Sequence, residues 1–389
     1  MRKIVFVCVV AMRLAWADGT EQPCYENGEQ KEYYPSGQIK ISTHFKDEKR
    51  DGMHEEWYEN GVLSLRVSFS EGLRDGQTGE WYEDGTAKLD GYFQLDQPDG
   101  VQSEWYENGQ LKRRSEFCLG EKQGWQREWS DAGDLLSEAL YEKDRIQGTV
   151  TTWWSKDQIK TRFVFADGKK EGIHQWYHPN GAREKLAVYK NDLLDGELLT
   201  WYEDGSMQSI QSYCQGTPVG EHFAFFPKTD PTQTDLDRLA HVVCYDEAGR
   251  LHGTERNYFT NGNIQSLLSY NHGLMDNVKR LYNQNGELIE EATYVQGELN
   301  GPYYAKSADG REVFSHYRDH LLDGLVVEYS EGVKMSETPY MQGKKEGLAK
   351  HFGPDGEITL TIAFVADEPC PETWDNSFTV SNCEINEEP

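Results

Sequence analysis

Apolar residues are scarce in this chain. At 37% of 389 residues they fall short of what an ordinary globular domain carries, which excludes one large spherical core. A thin, local core remains open, of the kind found where each unit touches only its neighbours. Long apolar runs are missing too. Apart from the short stretch Ile4 to Met12, nothing approaches the roughly 20 residues of a membrane helix, so no integral membrane segment is expected. Basic residues are few, 39 Lys and Arg against 67 Asp and Glu, for a net charge of −28. So acidic a surface repels nucleic acid and anionic head groups, keeps a β protein soluble and draws basic partners or cations. No sustained 3.6-residue periodicity calls for helices. No CxxC zinc spacing, HExxH, GxSxG elbow, Walker loop or GxGxxG appears, and histidines such as His174, His178, His222 and His241 lie scattered. The sequence therefore nominates no catalytic, cofactor-binding or metal-binding residue, and an enzyme is not expected.

The first 17 residues read as a secretory signal. Arg2 and Lys3 precede the apolar stretch, and Ala15-Trp16-Ala17 supplies a cleavage site before Asp18. Export to the periplasm, the cell envelope or the outside is the expectation. Removal of Cys8 with that segment leaves Cys24, Cys118, Cys214, Cys244, Cys370 and Cys383. Among them Cys370 and Cys383, bracketing a short segment, form the best-placed disulfide pair.

Aromatic residues and glycine are what the chain has in plenty, and they recur in register. Trp57-Tyr58 with Gly61, Trp81-Tyr82 with Gly85, and Trp105-Tyr106 with Gly109 repeat every 24 residues. The phase extends from Tyr33 through Gly205, resumes at Gly262, and slips by two residues at Gly332. About fourteen copies follow from this spacing. Within a copy, Leu63, Leu65, Val67 and Phe69 alternate with polar residues, the mark of a half-buried strand. Asn60-Gly61 joins that strand to the one ending at Trp57, because a hairpin turn needs φ > 0 and Gly adopts it without steric cost. This register sets Tyr58 opposite Val62 and Trp57 opposite Leu63, and implies that Trp57, Leu63, Leu65 and Phe69 share one face. A lone hairpin is marginal in water, so each copy needs its neighbours.

The string Gly-Glu-Trp-Tyr-Glu-Asp-Gly at Gly79 to Gly85, with the aromatic and paired glycines that follow such a string in each repeat, such as Phe69, Gly72 and Gly76 after Trp57-Tyr58, resembles the MORN-variant repeat family of bacterial β-hairpin proteins. Members are often labelled antitoxins of toxin–antitoxin systems, so the resemblance implies a protein-binding scaffold and brings no catalytic residues.

On this reading Trp57, Trp81, Trp105, Trp129, Trp153, Trp176 and Trp201 form a structural core stripe. The opposite face carries Glu56, Glu80 and Glu104 with Tyr58, Tyr82, Tyr106, Tyr177 and Tyr202. Tyrosine beside carboxylate suits contact with protein or glycan. The register also sets Glu80 against Lys88 and Glu104 against Lys112 as surface ion pairs.

The expected organisation is a signal peptide (1–17), an N-terminal cap (18–32), a first repeat array (33–226), a loop insertion (227–244), a second array (245–366) and a C-terminal cap (367–389). Asp230, Asp235 and Asp237 in the insertion lack the spacing of a calcium loop. The fold class is all-β: tandem hairpins in an elongated, twisted single-layer antiparallel sheet, with a seven-bladed propeller as the alternative. The expected function is a non-catalytic exported scaffold for protein–protein interaction. The alternatives are a cell-wall or glycan-binding module and an antitoxin or immunity-type protein. Self-association through the Trp stripe is a further option.

Overall fold

The computed structural model describes residues 27–370, so the leader, Cys24 and Cys383 lie outside the described residues. The chain divides into two compact units, Met1–Arg145 and Ile146–Pro389. Among the described residues both are all-β, with 35 strands paired antiparallel and a 3-10 turn at Leu236–Arg238.

In the first unit five hairpins follow one another: Gly28–Tyr33 with Ile39–Lys46, Lys49–Trp57 with Leu63–Ser70, Leu73–Trp81 with Ala87–Gln94, Gln97–Trp105 with Leu111–Cys118, and Gly124–Trp129 with Leu135–Glu142. The second unit adds nine, from Arg145–Ser155 with Gln158–Ala166 to Gly347–Phe352 with Ile358–Val365, which makes fourteen repeats. Strand Gly28–Tyr33 falls inside the segment expected as an N-terminal cap, so the first repeat begins earlier than its aromatic signature. Each hairpin also pairs with the next, through Ile41–Glu56, Leu65–Glu80 and Leu89–Glu104. A propeller would break the ladder after every fourth strand. Here it runs unbroken through the first unit, and the propeller alternative falls.

Two kinds of turn alternate, each set by local chemistry. Within a repeat, the Tyr58 N–H donates to the Val62 carbonyl at 2.8 Å and the Gly61 N–H to the Tyr58 carbonyl at 3.0 Å. Gly61, at φ +87°, supplies the left-handed residue that closes this three-residue loop. Between repeats, Ser70 pairs directly with Leu73 across Glu71 and Gly72, both at positive φ. Such two-residue turns match the twist of the strands they join.

The expected pairing of Trp57 with Leu63 is present, but a β-bulge follows at once, and Glu56 pairs with Leu65. An extra residue reverses the alternation of side chains downstream. Trp57 and Leu63 therefore lie on one face, while Leu65, Val67 and Phe69 lie on the other with His54 and Glu56. The expected common face of Trp57, Leu63, Leu65 and Phe69 does not form.

The two-residue slip near Gly332 has a cause in the same geometry. The hairpin from Gly301 to Tyr317 pairs without a bulge, which removes one residue. The next hairpin closes on Glu331-Gly332 alone, with Ser330 paired to Val333, which removes another.

Candidate interaction surface

Deepest burial lies on the His54 face. Thr43, His54, Val67 and Thr78 pair in succession across neighbouring strands, and all four are buried. In the second unit His174 and Ala187 continue the same slot with no exposed surface. Rings close over this row: Phe69 meets His54 edge-on at 6.2 Å, and Tyr245 lies 4.8 Å from His222. Trp57, Trp81, Trp105, Trp129, Trp153, Trp176 and Trp201 are half-buried instead.

The Trp57 face mixes indole with paired charge. Arg66 bonds Glu55 at 2.8 Å and lies over the Trp81 ring. Trp81 folds back along its own strand over Gly79, where an added Cβ would sit 2.6 Å from the ring. Trp176 does not continue this stripe. It pairs with Lys185, in the slot that Glu56 fills, and Tyr177 takes the Trp57 slot opposite Arg183. The sequence step of 24 puts position 177, not 176, in phase with Trp57, so the miscount was legible in the spacing.

Glu56, Glu80 and Glu104 line the His54 face beside Tyr58, Tyr82 and Tyr106, all of them half-buried. The tyrosines carry a bond that periodicity alone could not show. Tyr58 Oη donates to the Trp81 carbonyl at 3.0 Å, Tyr82 to Trp105 at 2.8 Å, and Tyr106 to Trp129 at 2.9 Å. Tyr202 does the same to Phe225 at 2.8 Å. Where tyrosine is replaced, Trp154 and His178 engage the corresponding carbonyls of Tyr177 and Trp201 through ring nitrogens. Each donor belongs to one repeat and each acceptor to the next. Tyr82 loses acidity through burial. Glu56 is held below the usual carboxylate range, chiefly by its hydrogen bond from His54. Lys88 bonds Glu80 at 2.8 Å, which raises its affinity for the proton. Glu104, by contrast, pairs with Arg113 at 3.3 Å, while Lys112 lies over the Tyr106 ring. Arg113 is the residue directly across from Glu104, whereas the same slot opposite Glu80 holds the uncharged Leu89.

The turn asparagines form a second ladder. Asn60 Nδ2 donates to the Glu83 carbonyl, and Asn108, Asn180 and Asn261 repeat the bond, at 2.7–2.8 Å.

Loss of the bulge in the hairpin from Gly301 to Tyr317 produces a site that the sequence reading missed. Tyr304 pairs with Phe314 where other repeats carry an ion pair such as Glu55–Arg66. The two rings lie 4.9 Å apart, and Tyr329 meets Phe314 edge-on at 5.7 Å. Leu288, Glu291 and Pro302 complete an open recess of about 530 Å³, and Phe314 is 43% exposed.

The insertion is an ordered loop between Phe225 and Leu239, and strand Leu239–Tyr245 already occupies part of the range expected as loop. Arg238, 1% exposed, pins it by donating to the carbonyls of Phe226 and Met207 and to Asp235. Asp230 and Asp237 accept from Thr232 and Thr234 within the loop. Among the described residues no group of three or more His, Cys, Asp or Glu could hold a metal ion. Cys370 is a half-cystine, whereas Cys118, Cys214 and Cys244 are free thiols. Among the described residues no helix is long and apolar enough to cross a membrane.

Together these features define an open β-hairpin repeat protein whose units are tied by backbone ladders and by side chains reaching into the next repeat. The family model described as MORN repeat variant matches at residues 26–47, 98–118, 170–191, 194–215 and 251–272, each match covering one hairpin. Five of the hairpins are thus MORN-variant repeats. MORN repeats are protein- and lipid-interaction modules, and their scaffolds are as a rule non-catalytic. A search among curated proteins returns no match. A solved structure titled "Structure of Photorhabdus luminescens Tc holotoxin pore, Mutation TccC3-D651A" aligns over 87% of this chain and 22% of that one, at 11% identity and a TM-score of 0.15. So low a score transfers neither fold nor function.

Proposed function

We propose that the protein is an exported, non-catalytic scaffold that binds a protein partner through its Trp57 face. The pairing of half-buried Tyr304 with exposed Phe314 carries this reading. It is an aromatic anchor in an open recess, with Phe314 43% exposed, and a few aromatic anchors often dominate the energy of protein contacts. The basic, apolar start of the chain supports export, and the acidic balance favours a basic partner over anionic lipid.

Envelope extract passed over immobilised protein, compared with Tyr304→Ala and Phe314→Ala variants, tests the proposal. One defined protein retained by the wild type and lost from both variants is the expected outcome. A second reading, glycan binding, rests on the same ring pair, since a sugar ring also stacks on aromatic faces. Retention on insoluble cell-wall material with no protein captured would replace the first reading with the second.

A further inference from the structure

His174 occupies the buried slot of the His54 face with no exposed surface. Its Nε2 lies 2.7 Å from the Val164 carbonyl and must carry the proton, since that oxygen can only accept. Nδ1 is buried without a partner. Four rings surround the imidazole: Phe163 stacked at 5.0 Å, Phe165 at 5.6 Å, Trp176 at 6.3 Å and Tyr189 at 4.7 Å.

The titratable and charged groups around this cage come from each neighbouring strand. Tyr189, on Arg183–Lys190, touches the imidazole. Lys170, on Lys169–Lys170, lies over the Tyr189 ring at 4.9 Å, and Lys185 lies over Trp176 at 4.9 Å. The charges lying over these two cage rings are thus both cations. His54 fills the equivalent slot in the first unit with its surroundings reversed. Its Nδ1 meets Thr43 Oγ1 at 2.7 Å and its Nε2 meets Glu56 at 3.0 Å, so the second N–H of a charged ring has a carboxylate waiting.

We propose that His174 is an acid-sensitive latch: neutral, it ties Gln158–Ala166 to Gly172–Tyr177 and fills the ring cage; protonated, it opens the repeats around it. A second N–H on the buried ring would find no acceptor and would be repelled by the Lys170 ammonium. Stacking on the rings returns part of that cost through cation–π attraction, but ring faces do not satisfy the N–H. Burial, and then Lys170, push the proton affinity of His174 below its ordinary value, against the smaller opposing pull of the Val164 bond. The sign follows from linkage. The opened chain binds the proton more tightly than the closed one, so the latch holds above pH of about 6.5 and weakens as pH falls, by up to about tenfold per unit.

Hydrogen exchange of the full chain, corrected for intrinsic rates, tests this on peptides spanning 163–190 at pH 7.5, 6.5 and 5.5. Protection should drop several-fold between pH 6.5 and 5.5 in the wild type, hold in His174→Phe, and drop unchanged in His54→Phe. Unaltered wild-type protection, or the same loss in His174→Phe, would overturn the proposal. Imidazole nitrogen shifts of the wild-type protein give a readout that needs no folded variant. His174 should stay neutral with Nδ1 bare while the region is closed, and ordinary titration near pH 6.5 in the folded protein would also overturn it.

Discussion

Replacement of Gly76 by alanine separates two costs that glycine hides in this fold. Gly76 sits at φ +117°, and a Cβ there would lie 2.8 Å from Ser68 Cβ, an atom fixed to the backbone of the paired strand. Gly100 fills the same slot one repeat later at φ +73° with nothing within 4 Å. Gly100→Ala thus meets the backbone penalty alone, about 1–2 kcal/mol for a left-handed alanine. Gly76→Ala meets a backbone penalty at least as large, since φ +117° lies beyond the left-handed well, and a contact that a close-packed strand pair relieves only by shifting, about 1–3 kcal/mol more. Ser68→Gly removes the opposing Cβ and should return most of the second cost, at about 0.5–1 kcal/mol for a glycine in a strand. Because repeat arrays open locally, the fitting assay is exchange protection of peptides covering 60–105, converted to local opening free energies. If Gly100→Ala cost as much as Gly76→Ala, or if Ser68→Gly recovered nothing, contact across the pair would not be what demands glycine.

Tyr82→Phe deletes one inter-repeat bond and leaves the ring, so thermal unfolding should show a loss of about 0.5–1.5 kcal/mol, against none for Phe93→Tyr if the hydroxyl reaches solvent. Trp105→Ala should cost about 1.5–3 kcal/mol, less than a fully buried indole, because its ring is half-exposed; a loss above that range in urea titration would place the stripe in a covered core. Arg238→Ala strands two carbonyls and frees the insertion, and limited proteolysis between 227 and 238 should accelerate at least tenfold while cleavage elsewhere is unchanged.

Much of this protein is legible along the chain. A 24-residue step, glycine where φ must be positive and alternation in segments such as Leu63 to Phe69 establish hairpins, their number and the pairing of Trp57 with Leu63. Those signals are local: turn chemistry and side-chain alternation act within a few residues of one another. The propeller survived as an alternative at that level because hairpin pairing says nothing about where one hairpin ends against the next. Continuous pairing such as Leu65 with Glu80 removed it.

Which face is buried was decided only by tertiary structure. One bulged residue after Trp57 reverses every side chain that follows, and because nearly every repeat carries the bulge, the regular 24-residue step does not reveal it. Its absence between Gly301 and Tyr317 likewise brings Tyr304 onto Phe314, and neither ring is distinctive in sequence. The chain by itself specified the repeating ribbon. Packing between ribbons, where a single inserted residue decides inside from outside, determined which side chains are hidden and which are offered.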